Sequence, residues 1–278
     1  MRYGAARSLA ALGVGAVSGL GCGSAPQRTA TSVAGIARFS HSTRIDNRWL
    51  PLKPGSKFVL AGMTSDGPHR EVVIVTDLVK VIDGVRTVVV WDRDFEGPAL
   101  AEGELAFVAQ DDAGNIWNYG EYPEVYDDGK LGGAPKTWIA GLAGATAGIA
   151  MQASSRPGAA EYLQGWAPAI GFGDTANVQA VKSRLCVPAG CYSEVLQVEE
   201  GSPEEPTAHQ FKYYAPGVGT VRVGFAGRGD REALALVERV QMNAAAIAVV
   251  RYEATAIDRR GYSVSRDLYG RTAPAQAP

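Results

Sequence analysis

Between residues 71 and 92 the chain carries two runs of β-branched and other apolar side chains that favour extended structure. EVVIVTDLVKVI (71–82) and VRTVVVWD (85–92) are rich in β-branched side chains. They are separated by Asp83-Gly84. Both positions of such a two-residue turn need positive φ, which Asp and Gly tolerate, so the pattern predicts a β-hairpin. A second hairpin is expected from 100–110 and 116–121, turning through DDAGN. Along 101–109, Ala101, Gly103, Leu105, Phe107 and Ala109 share one face. Glu102, Glu104 and Ala106 share the other. This reads as a half-buried strand of an antiparallel sheet.

A third hairpin is expected from 176–186 and 191–200 around VPAG (187–190). Strands near 211–214 and 218–225 follow around APGVG. Residues 230–240 are ambiguous: their apolar positions alternate, but Ala and Glu favour helix. Residues 241–258 read as a helix by length and Ala content. Residues 129–175 have no clear period, and small residues dominate them. They read as a long compact Gly/Ala-rich excursion over one face of the sheet. The expected fold class is all-β or β-dominated α+β: an antiparallel sheet, half-barrel or barrel, with a C-terminal helix.

The N-terminus carries an address. Arg2 and Arg7 precede the apolar run Ser8–Gly21, and Cys22 follows. A basic start and an apolar run of this length suit a secretory signal. The run is too short for a membrane-spanning helix, which needs ~20 apolar residues. Gly21 before Cys22 fits a lipidation site, whereas Gly19 stands where Leu is usual. An acid-poor, Arg-bearing start also suits an organellar transit peptide, but the continuous apolar run ending in Cys favours export. The expected organisation is a signal segment with lipidation cysteine (1–22), a flexible tether (23–45), one β-rich domain (46–258) and a tail (259–278). Loss of residues 1–21 would remove two arginines from a chain of 278 residues with formal net charge −2. So near-neutral a balance argues against nucleic acid as a partner.

Four stretches carry a family resemblance: IDNRWLPLKPGSKFVLAG (45–62), FVAQDDAGNIWNYGE (107–121), LCVPAGCYSEVLQVEE (185–200) and YYAPGVGTVR (213–222). The chain resembles a family of uncharacterised exported bacterial proteins, many of them predicted lipoproteins. The resemblance covers about Ile45 to Val240. It implies a β-rich fold and an extracytoplasmic location, and it transfers no catalytic residue. Members often carry a residue other than cysteine after the Pro-Ala-Gly turn, where this chain has Cys191.

Candidate chemistry is sparse. Cys186 and Cys191 flank the VPAG turn and would sit opposite one another, within disulfide reach. That pairing fits an oxidising compartment. Asp111, Asp112 and Asn115, with Glu121 on the returning strand, form an oxygen-rich set of the kind that holds Ca²⁺. The D-x-[DN]-x-[DN]-G spacing is missing, so an ordinary turn is the simpler reading. Trp138, Met151, Tyr162 and Trp166 would line a cavity for a small apolar ligand, or anchor the excursion to the sheet. GFGDTA (171–176) lacks the strand–turn–helix setting of a dinucleotide site. His41, His69 and His209 form no catalytic pattern and read as surface residues. No cofactor is implied. The expected role is a non-catalytic binding or structural module of the cell envelope. The alternative is a hydrolase pairing Glu102 or Glu104 with Asp92 or Asp111, which requires carboxylates ~5–10 Å apart.

Overall fold

The computed structural model describes residues 37–202, 206–227 and 231–277; Cys22 and the signal segment lie outside them. Five long strands come first: β1 (Ser56–Thr64), β2 (Gly67–Ile82), β3 (Val85–Glu96), β4 (Ala99–Gln110) and β5 (Ile116–Asp127). The excursion supplies five short ones: β6 (Lys130–Gly133), β7 (Trp138–Ile139), β8 (Thr146–Met151), β9 (Tyr162–Leu163) and β10 (Gly165–Trp166). Then come β11 (Thr175–Val187), β12 (Gly190–Gly201), β13 (Ala208–Ala215), β14 (Gly219–Gly227), β15 (Ala233–Gln241) and the helix α1 (Ala244–Val264). Asp83 and Gly84 have φ of 47° and 77°, as the two-residue turn between β2 and β3 demands.

All strand pairs are antiparallel, in the order β10-β8-β5-β4-β3-β2-β1-β15-β14-β13-β12-β11-β9, with β6 and β7 added on β5. The sheet is not closed. Its two end strands, β9 and β10, are nonetheless consecutive pieces of one segment, with Gln164 between them. β9 pairs with β11, and β10 pairs with β8. The excursion is therefore the seam of a curled sheet. Its glycines have a local reason: a Cβ on Gly148 would stand 2.2 Å from the backbone nitrogen of Gly165.

The curl gives the sheet an inside. Val73, Val75, Val88, Val90, Ala106 and Val108 from one half share a core with Leu196, Val198, Tyr214, Val221, Val223 and Leu236 from the other. One end of this interior is plugged by residues 45–52, with Ile45, Trp49, Leu50 and Leu52 buried. Asn47 fixes the plug. Its side-chain oxygen accepts from the N–H groups of Trp49 and Leu50, and its amide donates to the carbonyls of Gly114 and Gln152.

The convex face of the first half packs on α1. Ile74, Val89, Leu105, Phe107 and Tyr122 meet Val250, Ala254 and Ile257. Asn243 caps the helix by accepting from the Ala246 N–H. Beneath α1 the fully buried Lys80 ammonium donates to Asp258 (2.8 Å), to the Tyr262 hydroxyl and to the Ala273 carbonyl.

The ends of the domain differ from expectation. The ambiguous stretch supplies β15 (Ala233–Gln241), and the helix starts three residues later and ends six residues later than read. Tertiary packing on the sheet decides both. The tail is not loose: Gln276 pairs with Val79 in both directions, each N–H donating over 2.8 Å. Residues 37–45 of the presumed tether are docked, with Phe39 edge-on to Trp117 and Tyr119. β4 is buried on both faces rather than one, because α1 covers its outside and the curl encloses its inside.

Candidate functional site

Strand alternation carries polar residues into the interior at the end opposite the plug. On β2, His69 and Glu71 continue the face of Val73 and Val75. On β3, Asp92 and Asp94 continue that of Val88 and Val90. On β4, Glu102 and Glu104 continue that of Ala106 and Val108. Glu200 on β12 and Lys212 on β13 enter from the other half, and Glu232 precedes β15. Asp92 is 2% exposed, Asp94 3%, Glu102 7% and Glu104 1%. In register, Asp92 pairs with Glu104, and Asp94 pairs with Glu102 on one side and Glu71 on the other. Like charges directly opposite across a sheet repel.

Several of these carboxylates are well held. Glu121 accepts from the Asn118 amide (2.7 Å) and from the Trp138 indole N–H (2.9 Å). Glu200 accepts from Gln164 (3.0 Å) and lies 2.7 Å from the Lys212 ammonium. Gln210 donates to Glu232 over 2.6 Å. His69 Nε2 lies 3.1 Å from Asp94 and 3.7 Å from Glu232. Burial pulls the Lys212 ammonium down, but Glu200, Glu71 and Glu232 outweigh it and lift it above its usual range.

Glu71, Asp92, Glu102 and Glu104 have less support. Both carboxyl oxygens of Glu104 are buried without a hydrogen-bond partner. Burial, then the charges of Glu121, Glu102, Asp92 and Asp94, push its carboxyl well above the usual range. The same physics raises Glu102 and Glu71, and burial lifts Asp92 to about 6. The Glu71 carboxyl faces that of Asp92, and a proton held on Glu71 relieves that pair. The layer is thus a row of buried, closely spaced carboxyls that favour the protonated state more than free acids do.

The other singled-out residues lie elsewhere. Asp111 caps its own turn, accepting from the Asn115 N–H, the Asn115 amide and the Trp117 indole N–H. Asp112 accepts from the backbone N–H and hydroxyl of Ser40. Glu121 belongs to the acid layer. Asp111, Asp112, Asn115 and Glu121 therefore do not meet as one ligand set. Among the described residues no three His, Cys, Asp or Glu side chains are grouped as metal ligands. Trp138 stacks on Phe172 at 5.0 Å in a small cluster of its own. Met151 and Tyr162 belong to the interior core, and Trp166 is 42% exposed. The four therefore fall in three places, the Trp138–Phe172 cluster, the interior core and the surface. Cys186 and Cys191 are register partners joined by a disulfide at the exposed tip of the β11–β12 hairpin.

Of the acids proposed for hydrolysis, the structure brings Asp92, Glu102 and Glu104 together and leaves Asp111 near the plug. All three are buried. The sequence reading missed the inward placement of Glu71, His69, Glu200, Lys212 and Glu232. The available signal was acid placed in phase with the buried apolar residues of the same strand, as in EVVIV (71–75) and LQVEE (196–200).

No family model matches the chain, and no curated protein matches it. Among solved structures, a protein described as a "putative lipoprotein" from Parabacteroides distasonis aligns with 70% of this chain and 100% of its own. The identity is 13% and the TM-score 0.32, so the likeness carries no argument about function. No described helix is long and apolar enough to cross a membrane.

Proposed function

We propose that this chain is an exported, envelope-associated β-domain protein, anchored through a lipidated Cys22, with a non-catalytic binding or structural role. The observation that carries the reading is the Cys186–Cys191 disulfide on an exposed hairpin. Such bridges form and persist in oxidising compartments and are rare where thiols are kept reduced. The basic start and apolar run ahead of Cys22 support the same reading. The burial of Asp92, Glu102 and Glu104 speaks for a structural or binding role over hydrolysis.

The test is expression of the full chain, with its own N-terminus, in a bacterium that processes lipoproteins. The expected result is an envelope-fraction protein acylated at Cys22, with Cys186 and Cys191 resisting alkylation until reduced. A cytosolic product whose two hairpin thiols alkylate without reductant overturns the export reading. Export with an unacylated N-terminus overturns the anchor.

A further inference from the structure

We propose that the acid layer is a binding site for a hard divalent cation of the Ca²⁺ class, seated between Asp92 and Glu104. The inference concerns the interior of the sheet and does not rest on the compartment proposed above.

Two independent observations point there. The first is register: Asp92 and Glu104 are directly opposed on β3 and β4, and Asp94 and Glu102 repeat the arrangement one step along. Directly opposed strand residues have Cα atoms about 4.5–5.5 Å apart, and Ca²⁺ takes carboxylate oxygens at about 2.3–2.6 Å. One ion between two such side chains suits that spacing. The second is hydrogen bonding: both oxygens of Glu104 are buried and unpartnered, in a side chain only 1% exposed. Buried polar atoms are nearly always satisfied, and an orphaned pair of carboxylate oxygens in a native interior calls for a bound ion or water.

The neighbours narrow the choice to a cation. Glu104 feels the charges of Glu121, Glu102, Asp92 and Asp94, all negative when ionised. The one lysine of the layer, Lys212, is already committed to Glu200. A divalent ion would replace the repulsion of the Asp92–Glu104 pair with attraction to both. The seat is this cross-strand pair, with water completing the coordination, rather than a preformed cage of three side chains. The orphaned oxygen of Gln164 lies in the same layer, on the seam segment.

The test uses the intact chain, stripped with EDTA and exchanged into chelator-free buffer at pH 7.5. CaCl₂ is titrated while heat of binding and thermal midpoint are followed, for wild type, Glu104→Gln and Asp92→Asn/Glu104→Gln. The single variant serves if the double one does not melt cooperatively. The expected result is saturable binding near one ion per chain. The midpoint should rise with Ca²⁺ concentration in wild type. Glu104→Gln should weaken binding at least tenfold while still melting cooperatively. Wild type that shows no saturable uptake overturns the proposal. Uptake of equal affinity in the cooperatively melting variants overturns it too, because the ion would then sit elsewhere.

Discussion

Asp92 on β3 and Glu104 on β4 stand directly opposite one another inside the curled sheet, both almost fully buried. Everything distinctive about the interior follows from this pair and its neighbours. The apolar layer is an ordinary sheet core. The acid layer beside it is costly when ionised and stable when discharged by protons or a cation.

Stability in chelator should therefore fall as pH rises. A carboxyl whose folded pKa is raised keeps a proton that the unfolded chain has already released, so unfolding becomes easier above the ordinary carboxylate range. Burial lifts Asp92 to about 6, and burial with the neighbouring acids likewise holds Glu71, Glu102 and Glu104 well above the usual carboxylate range. Thermal midpoints in EDTA are expected to decline steadily from pH 5 to pH 8. A midpoint that climbs across this window would count against the raised carboxyls.

Glu200 and Lys212 form a buried ion pair of the same layer. Lys212→Met leaves Glu200 buried beside further acids without its counter-charge. Breaking a buried pair from one side costs about 3–5 kcal/mol. Urea unfolding at pH 7 should show a loss of that size.

Beneath α1, Asp258→Ala would strand the fully buried Lys80 and remove the acceptor of the Tyr269 hydroxyl. The expected loss is again about 3–5 kcal/mol. Hydrogen exchange should show α1 and the Gln276–Val79 pairing losing protection before the β2–β3 hairpin does. Equal loss of protection everywhere would mean that the helix is not a separable cover.

Much of this fold was legible in the chain. The Asp83-Gly84 turn, the VPAG hairpin and the valine-rich strands follow from local chemistry, and the structure has them where that chemistry puts them. The seam was not legible, because β9 and β10 are two residues each and are defined only by distant partners. The acid layer was hidden for a different reason. Alternation assigned Glu102 and Glu104 correctly to the face opposite Leu105 and Phe107, but a polar face is normally the wet one. Here the curl of a distant half of the chain, through Leu196, Tyr214 and Leu236, makes it an inside.

The seam itself can be tested through Gly148. An added Cβ would press on backbone atoms of residues 163–165, none of which is a flexible side-chain tip. Gly148→Ala should separate β8 from β10, and limited proteolysis should then cut within 152–165 much faster than in wild type. Unchanged cleavage would show that the two ends of the sheet do not depend on this contact.

The most direct measurement is urea unfolding of wild type and Asp92→Asn/Glu104→Gln in EDTA, at pH 5 and at pH 8. Replacing both acids with neutral isosteres should make the protein more stable at pH 8, and the gain should narrow at pH 5. A double variant that is less stable than wild type at pH 8, or whose difference ignores pH, would contradict a repelling acid pair at the heart of the sheet.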